Sequence, residues 1–271
     1  MAIHDSSKWV LNHYIKQESV TKTFTPLLEK RPEKSPEEWF HFLHEQGLLP
    51  VTSETKKEWF HWRKNVNVKE LELFIKKMRS IFQGPDTEIF IFPLNMNHGA
   101  ILEGLDGKNG ITFPVFILAF WKATLPESDQ KALLLHEYHH ASRLFHRGEN
   151  ERSISLLESM IMEGLAEWEV ARQLGETHMA PWTKNYDRNM LLAWWKDVYQ
   201  HYVLLKGRHT YKSLLFGGER RIPPLTGYKL GYDIVRTHLS HKEAPEDSLT
   251  LLKKAPETFL TGPYKINEYH N

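Results

Sequence analysis

The chain has 271 residues, 41% hydrophobic and 25% charged, which allows a substantial core and excludes a disordered or fibrous protein. Lys plus Arg (35) and Asp plus Glu (34) nearly cancel, so no net field draws nucleic acid. With no cysteine there is no disulfide, thiolate ligand or cysteine nucleophile, which leaves metal chemistry to the 16 histidines and the carboxylates.

The first twenty residues mix charged and apolar side chains without an apolar h-region, so no secretory signal is read and the expected location is cytoplasmic. Residues 1–85 read as a helical region. Ser35-Pro36-Glu37-Glu38 supplies an N-cap, a proline at the first helical position and a capping-box glutamate, and Gly47 is the expected stop. Val68 to Phe82 repeats apolar residues at Leu71, Leu73, Phe74, Met78, Ile81 and Phe82, the spacing of a helix with one buried stripe.

Residues 86–271 read as the main domain. Glu88–Pro93 and Ile111–Ala119 are rich in β-branched and aromatic residues and predict two strands, joined by a turn-forming stretch holding Gly99, Gly104, Gly107 and Gly110. The longest nearly apolar run, Phe113 to Trp121, is far shorter than the roughly 20 residues of a membrane-spanning helix, so no span is expected. From Pro126 the chain reads as mostly helical, with an aromatic helix around Met190 to Leu205 and a helical segment after Pro224. The expected fold class is α+β, mostly helical.

Within Leu133-Leu-Leu-His136-Glu137-Tyr138-His139-His140-Ala141 lies HExxH, which puts two histidines on one helix face where they can grip one zinc ion. Glu137 lies about 100° around the helix from His136, suiting a general base beside metal-bound water. In so histidine-rich a chain the bare motif leaves a second reading open, in which His136 and His140 are hydrogen-bonded core residues. His139 offers His136 an alternative partner, although only His140 completes the motif. His98 falls in a loop between strands, where it either lines a cleft or sits on the surface, and His146 ends its helix, where a cation suits the dipole.

A third ligand is supplied downstream. Ser155-Leu-Leu-Glu158 is a capping-box pattern, and helical spacing beyond it places Glu163 and Glu167 on one face of a second helix. If the first helix stops before Gly148 and the second starts near Ser155, His140 and Glu163 each lie eight residues from the connection, about 12 Å at 1.5 Å per residue. Antiparallel packing would bring them level. Two histidines and one carboxylate leave a fourth zinc position open, as in a catalytic site. Glu167 either accepts the second ring N–H of a histidine ligand or is a solvated helix carboxylate.

His-Glu-Tyr-His-His followed by Met-Glu-Gly-Leu-Ala-Glu-Trp resembles the gluzincin class of zinc peptidases, whose third ligand is the glutamate of a Glu-Gly-Leu/Phe-Ala stretch. More narrowly, the chain is similar to a bacterial family of predicted zinc-dependent proteases, the likeness running over residues 86–240 through Gly227-Tyr-Lys-Leu-Gly-Tyr232. The resemblance implies a zincin-like fold with a strand above the metal helix, one Zn2+ held by His136, His140 and Glu163, and a peptide or protein substrate. Zinc would then lower the pKa of its water towards 7, with Glu137 as general base. An oxyanion donor must come from elsewhere in the chain, and Tyr228 and Tyr232 are the candidates, although a pair at this spacing is also what core packing gives. Trp194 and Trp195 read as core. Two other functions stay open: a catalytically silent zinc protein that binds a peptide or partner in the same cleft, and a histidine-rich metal buffer, which the scattered remaining histidines disfavour.

Overall fold

In a computed structural model, which describes residues 2–27, 34–97, 106–150, 152–218, 221–240 and 246–266, the chain is α+β and mostly helical. It forms two units, Met1–Ser80 with Pro85–Ala141, and Ile81–Gly84 with Ser142–Asn271. No helix among the described residues is long and apolar enough to cross a membrane.

The first unit is built on four strands, β1 (Ile3–Asp5), β2 (Glu88–Pro93), β3 (Lys108–Thr112) and β4 (Phe116–Trp121), in the order β1-β2-β4-β3. β1 and β4 run parallel to β2, and β3 is antiparallel to β4. Every residue of β4 and all but the first of β2 are buried, which accounts for their unbroken apolar sequences: a central strand covered on both faces has no polar side to alternate with. Two expectations change here. The amino-terminal region is not purely helical, because β1 pairs with β2, and three residues are too few to show a period. The run Ile111–Ala119 is two strands, folded back so that Phe113 N–H donates to the Phe116 carbonyl at 2.9 Å. Pro114 lies in that turn, where its missing N–H costs no ladder bond.

The helices of this unit are α1 (Ser7–Lys16), α2 (Val20–Thr23), α3 (Pro36–Glu45), α4 (Lys56–Lys64) and α5 (Val68–Phe82), with most of α6 (Glu127–Arg147). α3 carries the full capping box: Ser35 Oγ accepts from Glu38 N–H at 3.2 Å and Glu38 Oε2 accepts from Ser35 N–H at 2.6 Å. Gly47 beyond it has φ 96°, a conformation that favours glycine. The buried stripe of α5 is Leu71, Ile75, Met78 and Phe82; Leu73 is 51% exposed and lies off it. Trp39 and Leu43 of α3 pack with Phe90, Phe92, Phe116 and Phe120 in one aromatic core. Since α5 and β2 both belong largely to this unit, the change of texture at residue 86 is a change from helix to strand inside it.

The second unit holds α7 (Leu156–Leu174), α8 (Arg188–Asp197), α9 (Lys212–Phe216), α10 (Thr226–Ser240) and α11 (Ser248–Lys253). Ser155 caps α7 by accepting from Glu158 N–H at 3.1 Å, but the reciprocal half of the box is not made. Glu158 instead takes a bidentate pair from the fully buried Arg143, at 2.5 and 2.9 Å. The aromatic helix ends at Asp197 and not near Leu205, because the segment that follows turns to serve α7. The carbonyls of Val203 and Leu205 accept the N–H groups of Leu157 and Leu156, which a helix start leaves unpaired. Trp195 is buried edge-on to Tyr264, and Trp194 packs against the same core, as expected.

α7 and α10 touch backbone to backbone. A Cβ on Gly164 would overlap the Gly231 carbonyl, and one on Gly231 would overlap the Met160 carbonyl. Deeper in α10, Asp233 is fully buried and accepts from Tyr186, Arg188, Arg236 and Tyr264 at 3.0, 3.0, 2.7 and 2.5 Å. Burial alone would raise its pKa; the hydrogen bonds from Tyr264, Arg188 and Tyr186 and the Arg188 charge outweigh burial and hold the carboxyl below its usual range.

Gly231→Ala should therefore cost at least about 3 kcal/mol, whereas Gly148→Ala, at φ 64° with open space around it, should cost about 1–2 kcal/mol. Thermal unfolding of both variants checks this, and equal losses would refute the close approach. A folded-state pKa below the unfolded one means that Asp233 adds stability above ordinary carboxylate pH, lost as the pH falls through the folded value. Denaturation between pH 7 and 3 should show a component of acid destabilisation that Asp233→Asn lacks.

Candidate metal centre

α6 starts after Pro126 with Glu127 and Asp129 in its first turn and stops at Arg147, where Gly148 takes φ 64°. Leu134, Leu135 and Tyr138 are fully buried, and the Tyr138 hydroxyl donates to the Pro85 carbonyl at 2.9 Å, which fixes the helix rotation. That rotation puts His136, Glu137 and His140 together: their candidate ligand atoms all lie within 4.8 Å of one another. The two imidazoles stand 4.4 Å apart between ring centres at 75°. Glu137 is 6% and His140 5% exposed, while His136 keeps partial access to solvent.

Glu137 is held from the sheet. The Thr112 hydroxyl, on β3, donates to the Glu137 main-chain carbonyl at 2.9 Å and to its Oε2 at 2.7 Å. Gly110, two residues earlier, lies under the carboxylate: a Cβ there would overlap Oε1, Cδ and Cγ of Glu137. Gly110 thus belongs to a strand, not to the connecting stretch in which the sequence placed it. Neither residue was singled out from sequence. Gly110 fell just before the strand pattern that starts at Ile111, so no local signal marked its approach to Glu137.

Among the described residues, His136, Glu137 and His140 are the group that could hold a metal ion. Two imidazole nitrogens with a neighbouring carboxylate, and no sulfur, suit zinc and its divalent first-row neighbours. His139 is buried on the same helix. His146 shares a hydrogen bond with the Phe82 carbonyl at 2.7 Å, and His98 lies outside the described residues.

The other residues read as site candidates lie in the second unit. Glu163 is 2% exposed on α7, with Oε1 3.5 Å from Arg208 Nη2. Glu167 is buried on α7 and accepts the Ala180 N–H at 2.6 Å, so it is not a solvated carboxylate and anchors the chain beyond the helix. Tyr228 and Tyr232, half-buried on α10, both meet the edge of Trp182, at 5.5 and 6.4 Å between ring centres. Burial raises the pKa of Tyr232, whose hydroxyl lies 4.0 Å from Met179 Sδ.

The chain is thus an α+β protein whose α6 gathers two histidines and a glutamate into a group that could hold a metal ion. The family model described as predicted Zn-dependent protease (DUF2268) matches residues 68–261, and the chain belongs to that family. The match takes in α5 and runs past α10, so the likeness is wider than the 86–240 read from motifs. A relative in Bacillus subtilis (strain 168), named as uncharacterized protein YjaZ, is 32% identical over 185 residues, covering 68% of this chain and 69% of that protein.

Loss of an outer partner typically weakens a metal site about 10–100-fold, and loss of a ligand should exceed that. His136→Ala and His140→Ala should each weaken zinc binding by more than about 100-fold in chelator competition. An unchanged affinity in either variant would remove that histidine from the site.

Proposed function

We propose that the protein is a zinc-dependent peptidase that hydrolyses peptide bonds, with Glu137 as general base and His136, His140 and Glu163 as metal ligands. The observation that carries this reading is the Glu137 carboxylate, within 4.8 Å of both imidazoles and fixed at one oxygen by Thr112. Bound zinc would supply a Lewis acid and an acidified water at neutral pH. Glu137 accepts the proton of the attacking water and passes it to the amine that leaves, so one carboxylate serves both half-steps.

Glu163 is assigned from the Glu-Gly-Leu-Ala-Glu motif, and its burial on α7 supports a role that needs a carboxylate out of solvent. Glu167 supports the neighbouring backbone. Tyr228 and Tyr232 are the proposed donors to the tetrahedral oxyanion; their contacts with Trp182 hold both rings in place. The substrate is a peptide or protein, and the working location is the cytoplasm.

Metal analysis should find about one zinc per chain in both wild type and Glu137→Gln. In a peptide-library assay the wild type should cleave and the glutamine variant should lose at least about 10²-fold in rate. Equal cleavage by both would refute the mechanism. A zinc-loaded wild type that cleaves nothing but retains peptides would establish a silent binding protein. Of Tyr228→Phe and Tyr232→Phe, the one that removes the oxyanion donor should lower kcat about 10²–10³-fold, and full activity in both would place the donor elsewhere.

A further inference from the structure

Gly110 and Thr112 sit two apart on β3, paired with Ala119 and Ile117 of β4, so they share one face of the strand. On the alternate positions, Ile111 packs on the aromatic core and the Asn109 amide donates to the Gln46 carbonyl at 3.2 Å. The opposite face is thus engaged in packing, and the Gly110/Thr112 face lies toward Glu137. The hydroxyl of Thr112 has one proton, shared between the Glu137 carbonyl at 2.9 Å and Oε2 at 2.7 Å, the shorter contact going to the carboxylate. The main-chain carbonyl sits inside a helix, where the fourth residue onward supplies its regular donor. The bond to Oε2 is therefore the one that helix geometry does not already provide.

Gly110 completes the clamp from below. Any side chain there would drive into Cγ, Cδ and Oε1 of Glu137, so the carboxylate can lie flat over the strand only because residue 110 has no Cβ. A glutamate in a helix ordinarily samples several rotamers. Here Oε2 is tied to a hydroxyl and the chain of the side chain rests on backbone, which fixes the second oxygen as well.

We propose that Thr112 and Gly110 are positioning residues for the general base: Thr112 engages Oε2, leaving Oε1 to take the proton from water and return it to the leaving amine, while Gly110 keeps the space in which that carboxylate lies. The inference rests on the peptidase reading above. Both act through Glu137.

The test compares wild type with Thr112→Val, Thr112→Ser and Gly110→Ala, each zinc-loaded, on an internally quenched peptide that the wild type cleaves. Thr112→Val keeps the shape and removes the donor, and should lower kcat about 10–100-fold with KM within about twofold, since misplacement of a reacting group by about 1 Å costs up to about 10²-fold. Thr112→Ser keeps the hydroxyl and should recover most of that loss. Zinc content should stay unchanged in both. In a Glu137→Gln background Thr112→Val should add no further loss, because two residues acting as a unit are not additive. Gly110→Ala should lower kcat at least as much as Thr112→Val.

A readout free of turnover accompanies these. Crystal structures of the zinc-loaded wild type and Thr112→Val should show Glu137 Oε2 within hydrogen-bond distance of residue 112 in the first, and a rotated or disordered carboxylate in the second. Wild-type kcat in Thr112→Val, a serine variant no better than the valine one, or an identical ordered carboxylate in both crystals would each overturn the proposal. Full activity in Glu137→Gln alone would instead defeat the peptidase reading, and the crystallographic comparison would still decide whether Thr112 holds the carboxylate.

Discussion

One turn of α6 carries Glu137, His139 and His140 at near-zero exposure, beside leucines and a tyrosine that are also buried. Each of these polar groups gives up its water on folding, and a polar group left unpaired in a core costs several kcal/mol. The surroundings are arranged around that cost. Tyr138 locks the helix rotation through the Pro85 carbonyl, Thr112 meets Glu137 with its hydroxyl, and β3 yields its Cβ at Gly110 so that the carboxylate can lie against the strand. His136 keeps partial access to solvent, whereas Glu137 and His140 are buried. A buried acid beside two imidazoles is a group that could hold a cation.

In the second unit the same economy of space explains a motif. Glu163 is followed by Gly164, and Gly164 lies against the backbone of Gly231 in the Gly-Tyr-Lys-Leu-Gly stretch of α10. Gly231 in turn lies against the Met160 carbonyl of α7. Two of the segments that carry the family likeness are thus two sides of one helix contact, with no room for a side chain at either glycine. Within this motif Glu163 is buried, Gly164 makes room for the neighbouring helix, and Glu167 ties the chain beyond α7 through the Ala180 N–H.

Much of this was legible in the sequence where the signal is local. α3, α5, the end of α6 at Gly148 and the start of α7 at Ser155 fall where caps, glycines and apolar periods put them, and β2 reads plainly as a strand. The features that escaped depend on distant partners. β1 is three residues long and exists because β2 offers it an edge. The segment after Asp197 leaves the helix because its carbonyls serve the first N–H groups of α7. Glu158 looks like half of a capping box, yet its carboxylate is claimed by Arg143. His136, Glu137 and His140 were visible as a spacing, whereas Thr112 and Gly110 are visible only once β3 is laid against α6, since nothing in a lone threonine or a glycine near a turn marks it as facing Glu137.

Diffraction data from crystals of the zinc-loaded protein, collected at the zinc absorption edge, would test most directly that His136, His140 and Glu163 share one ion with Glu137 beside it. The expected map has one strong anomalous peak bonded to a nitrogen of each imidazole and to the Glu163 carboxylate, with a fourth position not filled by protein and Glu137 unbonded. A peak away from α6, or one bonded to Glu137 with Glu163 remote from it, would contradict the assignment.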